Sequence, residues 1–197
     1  MYHKRIEKFP DDFLFGAGTS SFQVEGGVKE GGRGIAVHDL KKPKKGITDF
    51  SVASDHYHRF EEDIELMKEL GLNTYRFSIS WVRILPDGQN INKVGLDFYN
   101  RLIQKLTDSG IEPIVTIYHF EYPKALVDKY KGWLSRESID DYVNFAGILF
   151  SNYGDRVKYW LTINEQDHLL KIPERIGFPE EMTGLEYERN AQTANYN

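Results

Sequence analysis

Asn164 and Glu165 close an otherwise apolar run, VKYWLTINEQ, that extends from Val157 to Gln166. Val157, Tyr159, Trp160, Leu161 and Ile163 give that run the character of a buried strand. A strand of this kind delivers an amide and a carboxylate to its carboxyl end, where a parallel α/β barrel carries out its chemistry. The carboxyl group can serve as a proton donor, and the amide can orient a hydroxyl-rich substrate. Taken alone, Asn-Glu reads equally well as a strand stopping at a polar turn. Three further side chains stand out. Arg76 lies inside the alternating run TYRFSI, and an inward-facing guanidinium needs a buried partner. His119 follows the apolar run PIVTIY, and Gln23 sits in a polar, glycine-rich stretch. By themselves these read as an ordinary ion pair, a hydrogen-bonded structural histidine and a glutamine satisfying backbone groups.

The elements that must carry these residues alternate. A first strand is expected over Phe13 to Thr19 and a helix over Ser54 to Leu70, with Tyr57, Phe60, Ile64 and Met67 on one face and Gly71 as its stop. Thr74 to Ile79 is the second strand. Asn92 can cap the next helix, whose face is Tyr99, Leu102, Ile103 and Leu106 and which Gly110 ends. Pro113 to Tyr118 is the third strand, followed by FEYPKAL as a loop. Ser135 can cap a third helix with the stripe Ile139, Tyr142, Val143, Ala146, Leu149, Phe150 and Tyr153, closed by Gly154. Val157 to Ile163 completes four strands. This β-α-β-α-β-α-β order calls for a parallel sheet with right-handed crossovers, and its apolar strands call for cover on both faces. Leu185 to Asn197 reads as the start of a fourth helix. The segment from Ser20 to Ala53 is long and irregular, a length usually tied to function. Its KKPKK stretch, Lys41 to Lys45, reads as a solvated loop face.

Composition narrows the function classes. The 197 residues carry 25 Lys plus Arg against 30 Asp plus Glu, a formal charge of -5, which argues against a dedicated nucleic-acid or anionic-membrane surface. The absence of cysteine rules out a disulfide framework and thiolate metal sites. No apolar signal region opens the sequence, no stretch reaches transmembrane length, and a cytoplasmic setting is expected. Gly16-Ala17-Gly18 lacks the third glycine of a dinucleotide fingerprint, since Ser21 stands there. His56 and His58 are two apart on a helix and do not share a face. No HExxH, phosphate-cradling loop or nucleophile elbow occurs, so neither a metal nor another cofactor is expected.

Three signatures, FPDDFLFGAGTSSFQVEGG, SDHYHRFEEDIELMKELGLNTYRFSISWVRILPDG and GWLSRESIDDYVNFAGILFSNYGDRVKYWLTINEQ, follow one another along nearly the whole chain. In this order they resemble the N-terminal half of glycoside hydrolase family 1, the β-glucosidase and 6-phospho-β-glucosidase group. The resemblance implies the N-terminal half of a (β/α)8 TIM barrel, a single partial domain over residues 1–197 that stops within the fourth barrel helix. It implies Glu165 as the general acid/base and Asn164 as holding the hydroxyl next to the anomeric carbon. It further implies that Gln23 and His119 bind the sugar ring and that Arg76 contacts and orients the nucleophile. Gln166 departs from the proline of many members, and Glu121 from their aspartate. The substrate expected is a β-glucoside or a 6-phospho-β-glucoside.

Retaining hydrolysis needs two carboxyl groups about 5–5.5 Å apart. In the resembled family the second is a glutamate on the seventh strand, beyond the four strands read here. Glu121 and Glu25 lie near strand exits but on loops, where an acid is poorly fixed for a reaction sensitive to misplacement. The expectation is therefore half a catalytic pair, inactive by itself, with Glu165 taking over as the partner of Arg76. A non-catalytic half-barrel that binds sugar weakly is the alternative. Open sheet edges also favour self-association, two copies closing one eight-stranded ring.

Overall fold

The computed structural model describes residues 8–40, 45–46 and 48–166. Most of the KKPKK stretch and the helix read over Leu185 to Asn197 lie outside these residues. Four strands, β1 (Gly16–Gly18), β2 (Thr74–Ser78), β3 (Glu112–Tyr118) and β4 (Tyr159–Ile163), form one parallel sheet in the order β1-β2-β3-β4. Helix α1 (Ser21–Val24) follows β1 at once and α2 (His56–Glu69) crosses to β2. Helices α3 (Trp81–Ile84) and α4 (Lys93–Asp108) cross to β3, and α5 (Lys124–Tyr130) and α6 (Glu137–Tyr153) cross to β4.

Local chemistry explains these boundaries. The Asn92 side chain accepts the Val94 N–H and starts α4, whose Tyr99, Leu102, Ile103 and Leu106 are all buried. Gly71 and Gly110, with φ of +75° and +73°, take the left-handed turn that ends α2 and α4. Ser135 does act at the start of α6, its hydroxyl accepting the Glu137 N–H at 3.3 Å. The core lies between the sheet and these helices. Its centre is aromatic, with Trp81 stacked on Phe145 at 4.8 Å and set edge-on to Trp133 and Tyr142.

Four expectations need correction. β1 is three residues long, because the backbone before it is engaged by Asn73, whose side chain accepts the Phe15 N–H and donates to the Phe13 carbonyl. The stretch after His119 is no loop throughout. It contains α5, a seven-residue helix following Pro123 and too short to show periodicity. In α6 the stripe rotates, with Phe145 buried while Val143 and Phe150 are exposed. The buried face of α6 is Ser138, Phe145, Ala146, Leu149 and Tyr153, and the Tyr153 hydroxyl donates to the Leu96 carbonyl of α4. Finally, only β2 and β3 are covered on both faces. β1 is exposed throughout and β4 exposes Tyr159 and Leu161, as befits strands at the two sheet edges.

The long irregular segment is tied to α2 by His58, whose Nδ1 meets Asp55 at 2.6 Å and whose Nε2 meets Glu30 at 2.9 Å. These carboxylates raise the imidazole above its ordinary value of 6.5. The protonated ring holds both acids, so its stabilising contribution is complete below the unfolded pKa and is lost as pH rises through the folded one. In an NMR titration His58 is expected to change charge above 6.5, and the urea midpoint of the parent to fall over that interval relative to His58→Asn. Titration at or below 6.5 would contradict the latch.

Candidate active site

Because the strands are parallel and adjacent in sequence order, their exits fall along one rim. Gln23 lies in α1, immediately beyond β1, and its Oε1 accepts the Ser20 hydroxyl at 2.6 Å. His119 is the first residue after β3, half-buried, with Phe22 tilted against its ring at 6.1 Å between centroids. Phe22 therefore brings the exit of β1 to the exit of β3, next to Gln23. Asn164 and Glu165 follow β4 directly. Arg76 projects from β2, its Nε donating to the Thr116 hydroxyl at 2.9 Å and its Nη2 to Asn164 Oδ1 at 2.6 Å.

The partner of Arg76 is thus Asn164, where Glu165 was expected. Asn164 is buried, pinned by its N–H to the Tyr118 carbonyl, and faces the guanidinium. Glu165 is exposed, on a left-handed backbone with φ of +44°. A guanidinium only donates, so the contact fixes the amide of Asn164: Oδ1 faces Arg76 and the NH2 group is oriented elsewhere. Among the described residues, Arg76 donates to two neutral side chains.

Beneath this rim lie two buried ionic clusters that sequence reading missed. Glu25 accepts from Arg83 Nε at 3.1 Å and from the Tyr99 hydroxyl at 2.6 Å, while Arg83 also donates to the Gly26 carbonyl and lies 4.1 Å over the Tyr57 ring. Burial pushes the Glu25 carboxyl up against the opposing pull of Arg83, and pushes the Tyr99 hydroxyl well above its usual range. Glu121 is also buried. Its Oε1 accepts from Ser80 and from Arg33, each at 2.9 Å, and its Oε2 accepts from Ser21. Glu25 and Glu121 are therefore rigidly held, contrary to the reading of both as loosely fixed loop acids. Each is committed to an arginine. Arg83 follows no local pattern that would have marked it, because its acceptor stands 58 residues away.

Among the described residues no group of three or more His, Asp or Glu is placed to hold a metal ion, and no helix is long and apolar enough to cross a membrane.

The model of glycosyl hydrolase family 1 matches residues 5–180. The chain belongs to glycosyl hydrolase family 1. Among curated relatives of this family, the chain is 52% identical to rice Beta-glucosidase 6 over 162 residues, covering 80% of the chain and 31% of the relative. It is 46% identical over 173 residues to the Aryl-phospho-beta-D-glucosidase BglC of Bacillus subtilis, covering 85% and 36%. The family-1 chain thus spans about a third of the length of the curated relatives it matches. Its fold superposes on the β-glucosidase of Thermotoga maritima, solved in complex with castanospermine, with a TM-score of 0.82 at 41% identity over 96% of this chain and 45% of that one. It is also similar to a glutamate-to-glutamine variant of a rice β-glucosidase in a covalent complex with glucose, with a TM-score of 0.80 at 46% identity, covering 83% and 35%. The four-stranded sheet accordingly corresponds to the N-terminal part of the family's (β/α)8 barrel.

Proposed function

We propose that this chain supplies the acid/base side of a retaining β-glycosidase site, acting on O-glycosidic bonds of β-glucosides or 6-phospho-β-glucosides. The observation that carries this reading is the Arg76–Asn164 bond, which joins β2 to the exit of β4 and leaves a cation with two neutral partners at the rim. Such a cation favours an ionised carboxylate beside it, the state a nucleophile needs. That carboxylate attacks the anomeric carbon as the glycosidic C–O bond breaks, and Glu165 gives its proton to the departing oxygen. Glu165 then takes a proton from water as the water oxygen attacks the same carbon and releases the first carboxylate. Asn164 presents its N–H donors to the neighbouring sugar hydroxyl, since its oxygen is committed to Arg76.

Among the described residues the two buried acids near the rim, Glu25 and Glu121, are already bound to arginines. We therefore assign the nucleophile to polypeptide outside these residues. On this reading the chain by itself is inactive or nearly so. The experiment joins it to strands five to eight of rice Beta-glucosidase 6. Hydrolysis of 4-nitrophenyl β-glucoside or its 6-phosphate, depending on Glu165, supports the reading. No turnover above that of Glu165→Gln would sink it, and the relative rates on the two substrates assign the sugar.

The exposed edges β1 and β4 give a further expectation for the chain alone. Unpaired parallel edges template strand addition. Size-exclusion chromatography is expected to show an assembly larger than one chain. A strictly monomeric profile across concentration would count against pairing through these edges.

A further inference from the structure

Glu121 stands two residues after His119 and reaches three other segments of the rim. Its Oε2 accepts from Ser21, the first residue of α1, and its Oε1 accepts from Ser80 beyond β2 and from Arg33 of the long irregular segment. Ser21 is tied in turn to Ser78 at the end of β2, through its N–H at 2.8 Å and its hydroxyl at 2.9 Å. All four of these serine and glutamate side chains are buried, so the bonds are shielded from competing water. One carboxylate therefore fixes the exits of β1, β2 and β3 to one another. Gln23 lies two residues beyond Ser21, and His119 two residues before Glu121.

We propose that Glu121 is a positioning residue that sets the placement of Gln23 relative to His119. The inference deepens the sugar-binding reading of those two side chains and rests on it. A loop carboxylate with three charge-assisted bonds holds its neighbours more firmly than the strand ends could alone. Arg33 keeps Asp39 as a second partner at 2.6 Å, so removing the Glu121 charge does not leave it unpaired.

The test uses the isolated chain and NMR. In Glu121→Ala the Gln23 side-chain amide and the His119 imidazole signals are expected to move, while the methyl signals of Ile64 and Leu149, deep in the core, stay in place. Glu121→Gln keeps the volume but must donate to Ser21 where the carboxylate accepts. It is expected to move the same two signals by less, and it decides the matter if the alanine variant does not fold. Titration with a glucoimidazole is the second arm, with binding expected to weaken about tenfold in Glu121→Ala, in keeping with the cost of small misplacements. Gln23 and His119 signals that stay fixed in a folded variant, or core methyls that move as far as they do, would overturn the proposal. Failure of the parent to bind glucoimidazole would count against the sugar-site reading, while the signal shifts would still decide the positioning role.

Discussion

Glu165→Gln, in the chain completed with the remaining strands of a family-1 barrel, is expected to slow hydrolysis of alkyl β-glucosides by about 10²–10⁴-fold. An alkoxide departs poorly without a proton, so bond cleavage then depends on the missing acid. With 2,4-dinitrophenyl β-glucoside the leaving group is stable as an anion, and the first step no longer needs Glu165. Only the second step, in which a base must activate water, remains impaired. A slow turnover preceded by a burst of dinitrophenolate is therefore expected. Equal losses on both substrates would mean that Glu165 shapes the site and transfers no proton. The exposed, left-handed position of Glu165 beyond β4 suits this exchange, because the group must reach both leaving group and water.

The largest effect on stability is expected at Arg83. Its side chain is fully buried, and Glu25 is its carboxylate partner. Arg83→Met is expected to lower the free energy of unfolding by about 3–5 kcal/mol at neutral pH, because it leaves Glu25 buried without its cation. That is a large share of the ~5–15 kcal/mol that a domain has in total. Burial already pushes the Glu25 carboxyl up, and without Arg83 only the lesser pulls of the Tyr99 bond and of His56 oppose it. The sign of the pH dependence follows. A neutral carboxyl costs less to bury, so the deficit is complete above the raised pKa of Glu25 and shrinks as pH falls through it. Urea unfolding of Arg83→Met with and without Glu25→Gln checks the account. The double variant is expected to recover part of the loss. A loss below about 1 kcal/mol in the single variant would place Arg83 among ordinary surface pairs.

The strand-helix alternation could be read from the sequence because its causes are local. Asn92, Gly71 and Gly110 mark helix ends through caps and left-handed turns, and the face of α4 repeats at helical spacing. The rim positions of His119, Asn164 and Glu165 followed from the same alternation, since each stands just past an apolar strand, whereas Gln23 lies in the stretch read as irregular and was singled out by the family resemblance. What was not legible depends on distant partners. The extent of β1 is set by Asn73, 58 residues from Phe15. The burial of Glu25 and Glu121 depends on Arg83 and Arg33, and nothing in their own neighbourhoods announces it. Arg76 illustrates both sides. Its need for a buried partner was evident from its place in TYRFSI, but the choice of Asn164 is a contact made across 88 residues.

The central claim is that Glu165 exchanges a proton at the rim shared with Arg76 and Asn164. Azide rescue of Glu165→Gly in the completed barrel tests it most directly. Azide needs no base to attack the anomeric carbon of a covalent glycosyl intermediate, so it replaces the water that Glu165 would have activated. Turnover of 2,4-dinitrophenyl β-glucoside is predicted to rise with azide concentration, and the product to be the β-glucosyl azide. A rate indifferent to azide, with free glucose as the product, would contradict the assignment.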